Sequence, residues 1–170
     1  MLFRSALAGR GPIGLIWIDA HMDSHTFATT PSGQIHGMPL AALLGHGEAE
    51  LTAIDGAEAK LRPEHVCLIG VRSFEAGEAA LLHRLGVRVF DMQEVRRRGL
   101  AEVFDDALAI VRNGTAGFGV SVDLDALDPE EEPGTGSPVP GGLCRAELTA
   151  ALSRSEERRG GKECRSRWSP

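Results

Sequence analysis

Basic charge is in short supply in this chain of 170 residues: 18 Lys and Arg stand against 24 Asp and Glu, for a net charge of −6. That balance argues against nucleic acid as a partner. Long apolar runs are missing as well, so no bilayer-spanning helix and no membrane partner are expected. Arg4 and Arg10 precede the apolar run Ile13 to Ile18, but Gly11, Pro12 and Gly14 break any signal-peptide core and Asp19 ends it. Cysteine is scarce. Cys67, Cys144 and Cys164 are odd in number and irregular in spacing, which gives no disulfide framework; a reducing, cytoplasmic compartment is the expectation. Clusters of cysteine and histidine are absent too, which argues against metal storage or sensing. There is no internal repeat, and the one biased segment is a Gly/Pro-rich stretch from Asp128 to Gly142. What the chain does have is 42% hydrophobic residues, enough for one domain with a real core.

Apolar runs and helical periodicity alternate along the chain. Strands are predicted at Ile13 to Asp19, Val66 to Val71, Val87 to Phe90 and Phe118 to Asp123. Helices are predicted at Leu40 to Leu44 behind Pro39, at Ala76 to Leu85 before Gly86, and at Leu100 to Val111 before the turn Asn113-Gly114. A helix of undefined length is expected between Glu48 and Leu61, and another starts at Arg145. Strand-helix alternation predicts an α/β fold, a three-layer α-β-α arrangement around a mostly parallel sheet. Ligands bind such sheets at the carboxyl ends of the strands. Asp19, Arg72, Asp91 and Asp123 all fall near those ends.

Two of the ends carry clustered carboxylates. Asp19-Ala20-His21-Met22-Asp23 follows the first strand, and Asp123-Leu124-Asp125 follows the last, with Asp128 in the turn beyond. Residues two apart share a face of a strand, so Asp123 and Asp125 are expected to point the same way. Like charges that close repel unless a cation joins them. Four carboxylates and one imidazole suit Mn²⁺, and Zn²⁺ or Fe²⁺ less well. Taken singly, each acidic pair could merely cap a turn; the two clusters together point to a metal. His36 alone would be a hydrogen-bonded loop histidine, His46, His65 and His83 read as surface or helix-end residues, and Trp17 reads as core.

With these motifs go Ser32-Gly33-Gln34-Ile35-His36-Gly37 and Pro133-Gly134-Thr135-Gly136-Ser137-Pro138. Together, and in this order, they resemble the ureohydrolase family, the arginases, agmatinases and their relatives. The run His36 to Leu40 looks more like the arginase branch. The resemblance covers nearly all of residues 6–153. It implies manganese-dependent hydrolysis of L-arginine to L-ornithine and urea by a hydroxide activated between two Mn²⁺ ions. Asp19 and Asp123 would bridge the ions, His21 and Asp125 would complete one shell, and Asp23 would ligate the other ion. Asp125 would pass the nucleophile's proton to the departing amine, and His36 would be a proton shuttle. Ser32 and Gln34, with the segment Asp23 to His25, would hold the α-carboxylate of the substrate. Glu75 and Glu78 would hold its α-amino group, and Ser137 matches a family hydroxyl. His25 and Gln34 stand where asparagines are usual, and Glu75 where an aspartate is usual, so substrate choice is the property these departures touch. Agmatine or another guanidino or formimino compound is the alternative substrate, and a metal-poor, non-catalytic relative the alternative of another class.

Residues 1–5 and 154–170 abandon the pattern of the rest and read as non-native tails around a partial domain, 6–153. By the same resemblance, a ligand histidine upstream of the first strand and a glutamate beyond the last helix are missing. One metal shell is then incomplete, and the chain as written is expected to be a poorly active fragment. A homo-oligomer, a trimer or hexamer, is expected of the intact protein.

Overall fold

A computed structural model describes residues 10–54, 56 and 59–157. Four parallel strands form one sheet: β1 (Ile13–Ile18), β2 (Val66–Val71), β3 (Arg88–Asp91) and β4 (Gly117–Val122), in the spatial order β3-β2-β1-β4. Six helices belong to the described residues: α1 (Pro39–Leu43), α2 (Ala49–Thr52), α3 (Ala76–Leu85), α4 (Met92–Arg98), α5 (Leu100–Arg112) and α6 (Arg145–Glu157). The chain winds from β1 outward to β2 and β3, then returns across the sheet to lay β4 on the other side of β1. The winding direction therefore reverses between β1 and β4. That switch point leaves a crevice beyond the strand ends.

Alternation along each strand divides the core in two. Ile16, Ile18, Cys67, Ile69, Phe90 and Phe118 face one side, where α4, α5 and α6 cover them. Leu15, Trp17, Val66, Leu68 and Val89 face the other, against Leu40 of α1 and Leu82 of α3. Helix α5 buries Leu100, Val103, Phe104, Ala107, Leu108 and Val111, the three-and-four spacing of a helix with one apolar stripe. The expected three-layer α/β architecture is the observed one.

The differences are local. Strand β1 ends at Ile18 and β4 at Val122, so neither acidic cluster lies on a strand. Asp123 precedes a 3-10 turn, Leu124–Ala126, and its carboxylate accepts from the Asp125 amide at 3.0 Å. The two aspartates are thus set by a turn and not by a shared strand face. The helix expected between Glu48 and Leu61 is the single turn α2. Helix α4 was not expected from periodicity. Asp91 caps it, accepting from the Glu94 amide at 2.8 Å, and Asp-x-x-Glu is a start signal that the sequence does contain. Helix α6 continues through Arg154, which pairs with Asp105 at 2.9 Å, three residues past the expected break at that position. Residues 1–5 and 158–170, Cys164 among them, lie outside the described residues. His65 is buried rather than at the surface, and its Nδ1 has no partner among the described residues.

Candidate metal centre

The crevice at the switch point is a cavity of about 580 Å³. Every side chain nominated above as a ligand, a catalytic group or a substrate contact lines it. Asp19 and His21 come from the segment after β1, and Asp125 from the turn after β4. Asp23 and Asp123 also line the cavity.

Three donors lie within 4.8 Å of one another: a carboxylate oxygen of Asp19, a ring nitrogen of His21 and a carboxylate oxygen of Asp125. His21 Nδ1 sits 3.1 Å from Asp125 Oδ2 and 3.4 Å from Asp19 Oδ1. The carboxylates are oriented by other donors. Trp17 Nε1 donates to Asp19 Oδ2 at 3.1 Å, and the His21 amide donates to Asp19 Oδ1 at 2.7 Å. The Ala20 amide donates to Asp125 Oδ1 at 3.2 Å, so main chain from the β1 arm fastens a side chain from the β4 arm. Asp19 is 2% exposed and Asp125 7%. Asp23 and Asp123 fall outside this tight group.

Charge in this cluster is unbalanced. Burial, then the neighbouring Asp19, pushes the Asp23 carboxyl up to about 7. Burial also raises Asp19, with Asp125 and Asp123 adding to it. Burial would raise Asp125 too, but hydrogen bonds from His21 and the Ala20 amide hold it below the usual carboxylate range. Bonds to Asp125 and Asp19 push His21 up to about 10. In effect a proton on His21 stands in for a cation among four carboxylates. A divalent ion would relieve the same repulsion. Carboxylate oxygens with one imidazole are donors that Mn²⁺ accepts, so the residues present fit it.

A second group, His25, Glu75 and Glu78, lines the same cavity. His25 Nε2 lies 2.9 Å from Glu75 Oε2 and 3.3 Å from Glu78 Oε2. Glu78 is buried and accepts from the Ser24 and Glu75 amides. The bond to His25 holds the Glu75 carboxyl below its usual range, while burial raises that of Glu78. Helix α3 can bring these acids so close to the β1 arm because residue 77 is glycine; a Cβ there would sit 2.8 Å from Thr29 Cβ. The remaining nominated residues form the mouth. His36 is exposed in a 3-10 turn, Ile35–Gly37. Ser32 and Gln34 are exposed, with the Ser32 hydroxyl accepting from the Gln34 amide at 3.2 Å. Ser137 enters from the loop after β4.

The model of the Arginase family matches residues 2–161. The chain belongs to the arginase family. It is 48% identical over 140 residues to the arginase of Bacillus caldovelox, covering 82% of this chain and 47% of that one. To the arginase of Brevibacillus brevis it is 49% identical over the same shares. The crystal structure of the Bacillus caldovelox arginase at pH 5.6 superposes with a TM-score of 0.86 at 44% identity, over 91% of this chain and 52% of that chain. The chain thus spans about half the length of the curated relatives it matches.

Two side chains that support the candidate ligands from outside the cavity lining were not nominated from the sequence. Trp17, expected as core, packs partly in it but also donates to Asp19. Arg72, noted only as near a strand end, binds main chain on both sides of the cavity. A guanidinium that serves carbonyls brought by folding leaves no spacing signature of its own, whereas Trp17 and Asp19 stand two apart, a spacing the sequence did contain.

Proposed function

We propose that this cavity is the Mn²⁺ site of a hydrolase that splits L-arginine with water into L-ornithine and urea. The observation that carries the reading is the convergence of Asp19, His21 and Asp125 from two separate strand ends on one point, in a chain whose relatives are named arginase. In the reading, Asp19, His21, Asp23, Asp123 and Asp125 would hold the metal, with Asp19, His21 and Asp125 the group whose donor atoms already lie together. Divalent cations supply the charge that makes water a nucleophile near neutral pH. The chain's own groups do the rest. Asp125, buried and fastened by the Ala20 amide, accepts the proton of the attacking water and gives it to the nitrogen whose bond to the guanidino carbon breaks. His36, at the exposed mouth, exchanges protons with solvent, a task suited to an imidazole near pH 7. Ser32 and Gln34 offer donors to a carboxylate, and Glu75 with Glu78 offers acceptors to an ammonium.

The test is a Mn²⁺ titration of the purified chain beside Asp125→Ala, followed by urea release from L-arginine and from agmatine. Tight Mn²⁺ binding that the substitution abolishes, with arginine preferred over agmatine, is expected. A folded chain that binds no Mn²⁺ overturns the metal assignment, and a preference for agmatine overturns the carboxylate contacts.

A further inference from the structure

Strand β2 ends in an irregularity. Its pairing with β3 is regular from Cys67 opposite Arg88 to Ile69 opposite Phe90, then shifts, so that Val71 faces Asp91 and Gly70 is left over. Gly70 has φ +96°, which L side chains rarely adopt, and a Cβ there would stand 3.3 Å from the Asp19 carbonyl oxygen. Bulges of this kind re-aim the side chains that follow them and recur beside functional sites. The residue that follows here is Arg72.

Arg72 grips both arms of the cavity. Its main-chain amide donates to the Ala20 carbonyl at 2.9 Å, between Asp19 and His21. Its guanidinium reaches the opposite arm. Nη2 donates to the Asp125 carbonyl at 2.7 Å and the Leu127 carbonyl at 3.2 Å, and Nη1 to the Ala126 carbonyl at 3.3 Å. Nη2 and Nε also reach the Val139 carbonyl, at 2.7 and 3.2 Å, two residues past Ser137. Nη1 closes the set on the Gly70 carbonyl at 3.2 Å. Each of these acceptors is a main-chain carbonyl and none is a carboxylate. Only a planar fork of five donors can serve so many acceptors from one side chain; an ammonium offers three donors from a single point.

We propose that Arg72 is a positioning residue of the pocket that acts through the main chain. It sets the turn carrying Asp125, and the loop carrying Ser137, in register with the segment Asp19 to His21. Register matters because the Asp125 carboxylate meets its partners only there, Oδ1 on the Ala20 amide and Oδ2 on His21. The consequence for metal rests on the reading of Asp125 as a ligand; the mechanical role does not. Partners that orient a ligand from behind typically change metal affinity by about 10–100-fold when lost.

Two variants of the full chain separate geometry from charge. Arg72→Lys keeps the charge and loses the fork, whereas Arg72→Gln keeps an amide donor and loses the charge. Amide hydrogen exchange by NMR and Mn²⁺ affinity by calorimetry are measured on both. Exchange at Leu127 and Asp128, whose amides donate to Leu124 and Leu143 carbonyls, is expected to speed up about tenfold or more, with β1 and β2 amides unchanged. Mn²⁺ affinity is expected to fall about 10–100-fold in both variants. Unchanged exchange at Leu127 and Asp128 overturns the proposal. So does full Mn²⁺ affinity in Arg72→Lys together with unchanged exchange in that variant, which would make Arg72 a charge and not a fork. Loss of β1 and β2 protection in both variants also overturns it, because a positioning residue leaves the sheet intact. Should the parent chain bind no Mn²⁺, the metal reading fails by itself, and exchange alone judges Arg72.

Discussion

Side chain by side chain, the cavity is a set of like charges held together by protons. The Asp23 carboxyl stands at about 7 in the fold against an ordinary 3.8. The folded state therefore holds this proton more tightly than the unfolded chain, and folding loses stability as pH rises from about 4 to about 7. His21 stands at about 10 against 6.5. Its contribution is full below pH 6.5 and is lost as pH rises through about 10. Both act in one direction, so the Tm of the chain in chelator is expected to fall between pH 5 and pH 9. Saturating Mn²⁺ is expected to replace these protons and remove the fall; scanning calorimetry at several pH values, with and without Mn²⁺, measures both. A metal-free Tm that climbs over this range would contradict the arrangement of charges. At this scale the candidate cluster was legible, because two groups of aspartates, one with a histidine, follow apolar runs whose ends meet in the fold. The helpers were not read. Trp17 serves Asp19 two residues away, a pairing the sequence offered unread, whereas Arg72 acts on carbonyls that folding alone brings to it.

Between elements, the decisive contacts are close approaches. Helix α3 delivers Glu75 and Glu78 only because its first turn can press against Thr29 at Gly77. Gly77→Ala puts a methyl 2.8 Å from Thr29 Cβ and is expected to cost about 1–3 kcal/mol, as overpacked contacts do. Urea denaturation measures that cost. Because Thr29 Oγ1 lies 3.2 Å from His25 Nδ1, the His25 ring resonances are expected to shift in the same variant; unshifted resonances would mean that the loop yields without moving the ring. The strands and the longer helices were legible from periodicity, within a residue or two except at the end of α6. Helix α4 was not read from its pattern, since seven residues hold too few turns for one, although its Asp-x-x-Glu start was there to see. The strand was expected to end at Asp123 and its face alternation was carried on to Asp125, because the pattern along Val122 to Asp125 looks the same whether or not the chain has left the sheet.

Across the whole molecule, the core and the cavity are separate. Two apolar layers lie on the sheet's faces, and the cavity lies beyond its strand ends. Phe104, 1% exposed in the layer under α5, anchors stability without touching the site. Phe104→Ala is expected to cost about 3–5 kcal/mol, a large part of the ~5–15 kcal/mol that holds a domain together. Chemical denaturation reads that loss, while Mn²⁺ affinity per folded molecule is expected to stay within about twofold, the spread allowed between distant, independent sites. A parallel loss of affinity would show that the cavity depends on that layer. The order of apolar runs and helical segments determined the α/β class by itself, because only a sheet covered on both faces buries such runs. The types of the candidate ligands were likewise written in the chain, as carboxylates and an imidazole that follow apolar runs. Tertiary structure alone decided that β4 returns to pair with β1. Strand order is set by which faces pack and not by any local pattern, and that return places Asp125 within hydrogen-bonding reach of His21, 104 residues away in the chain.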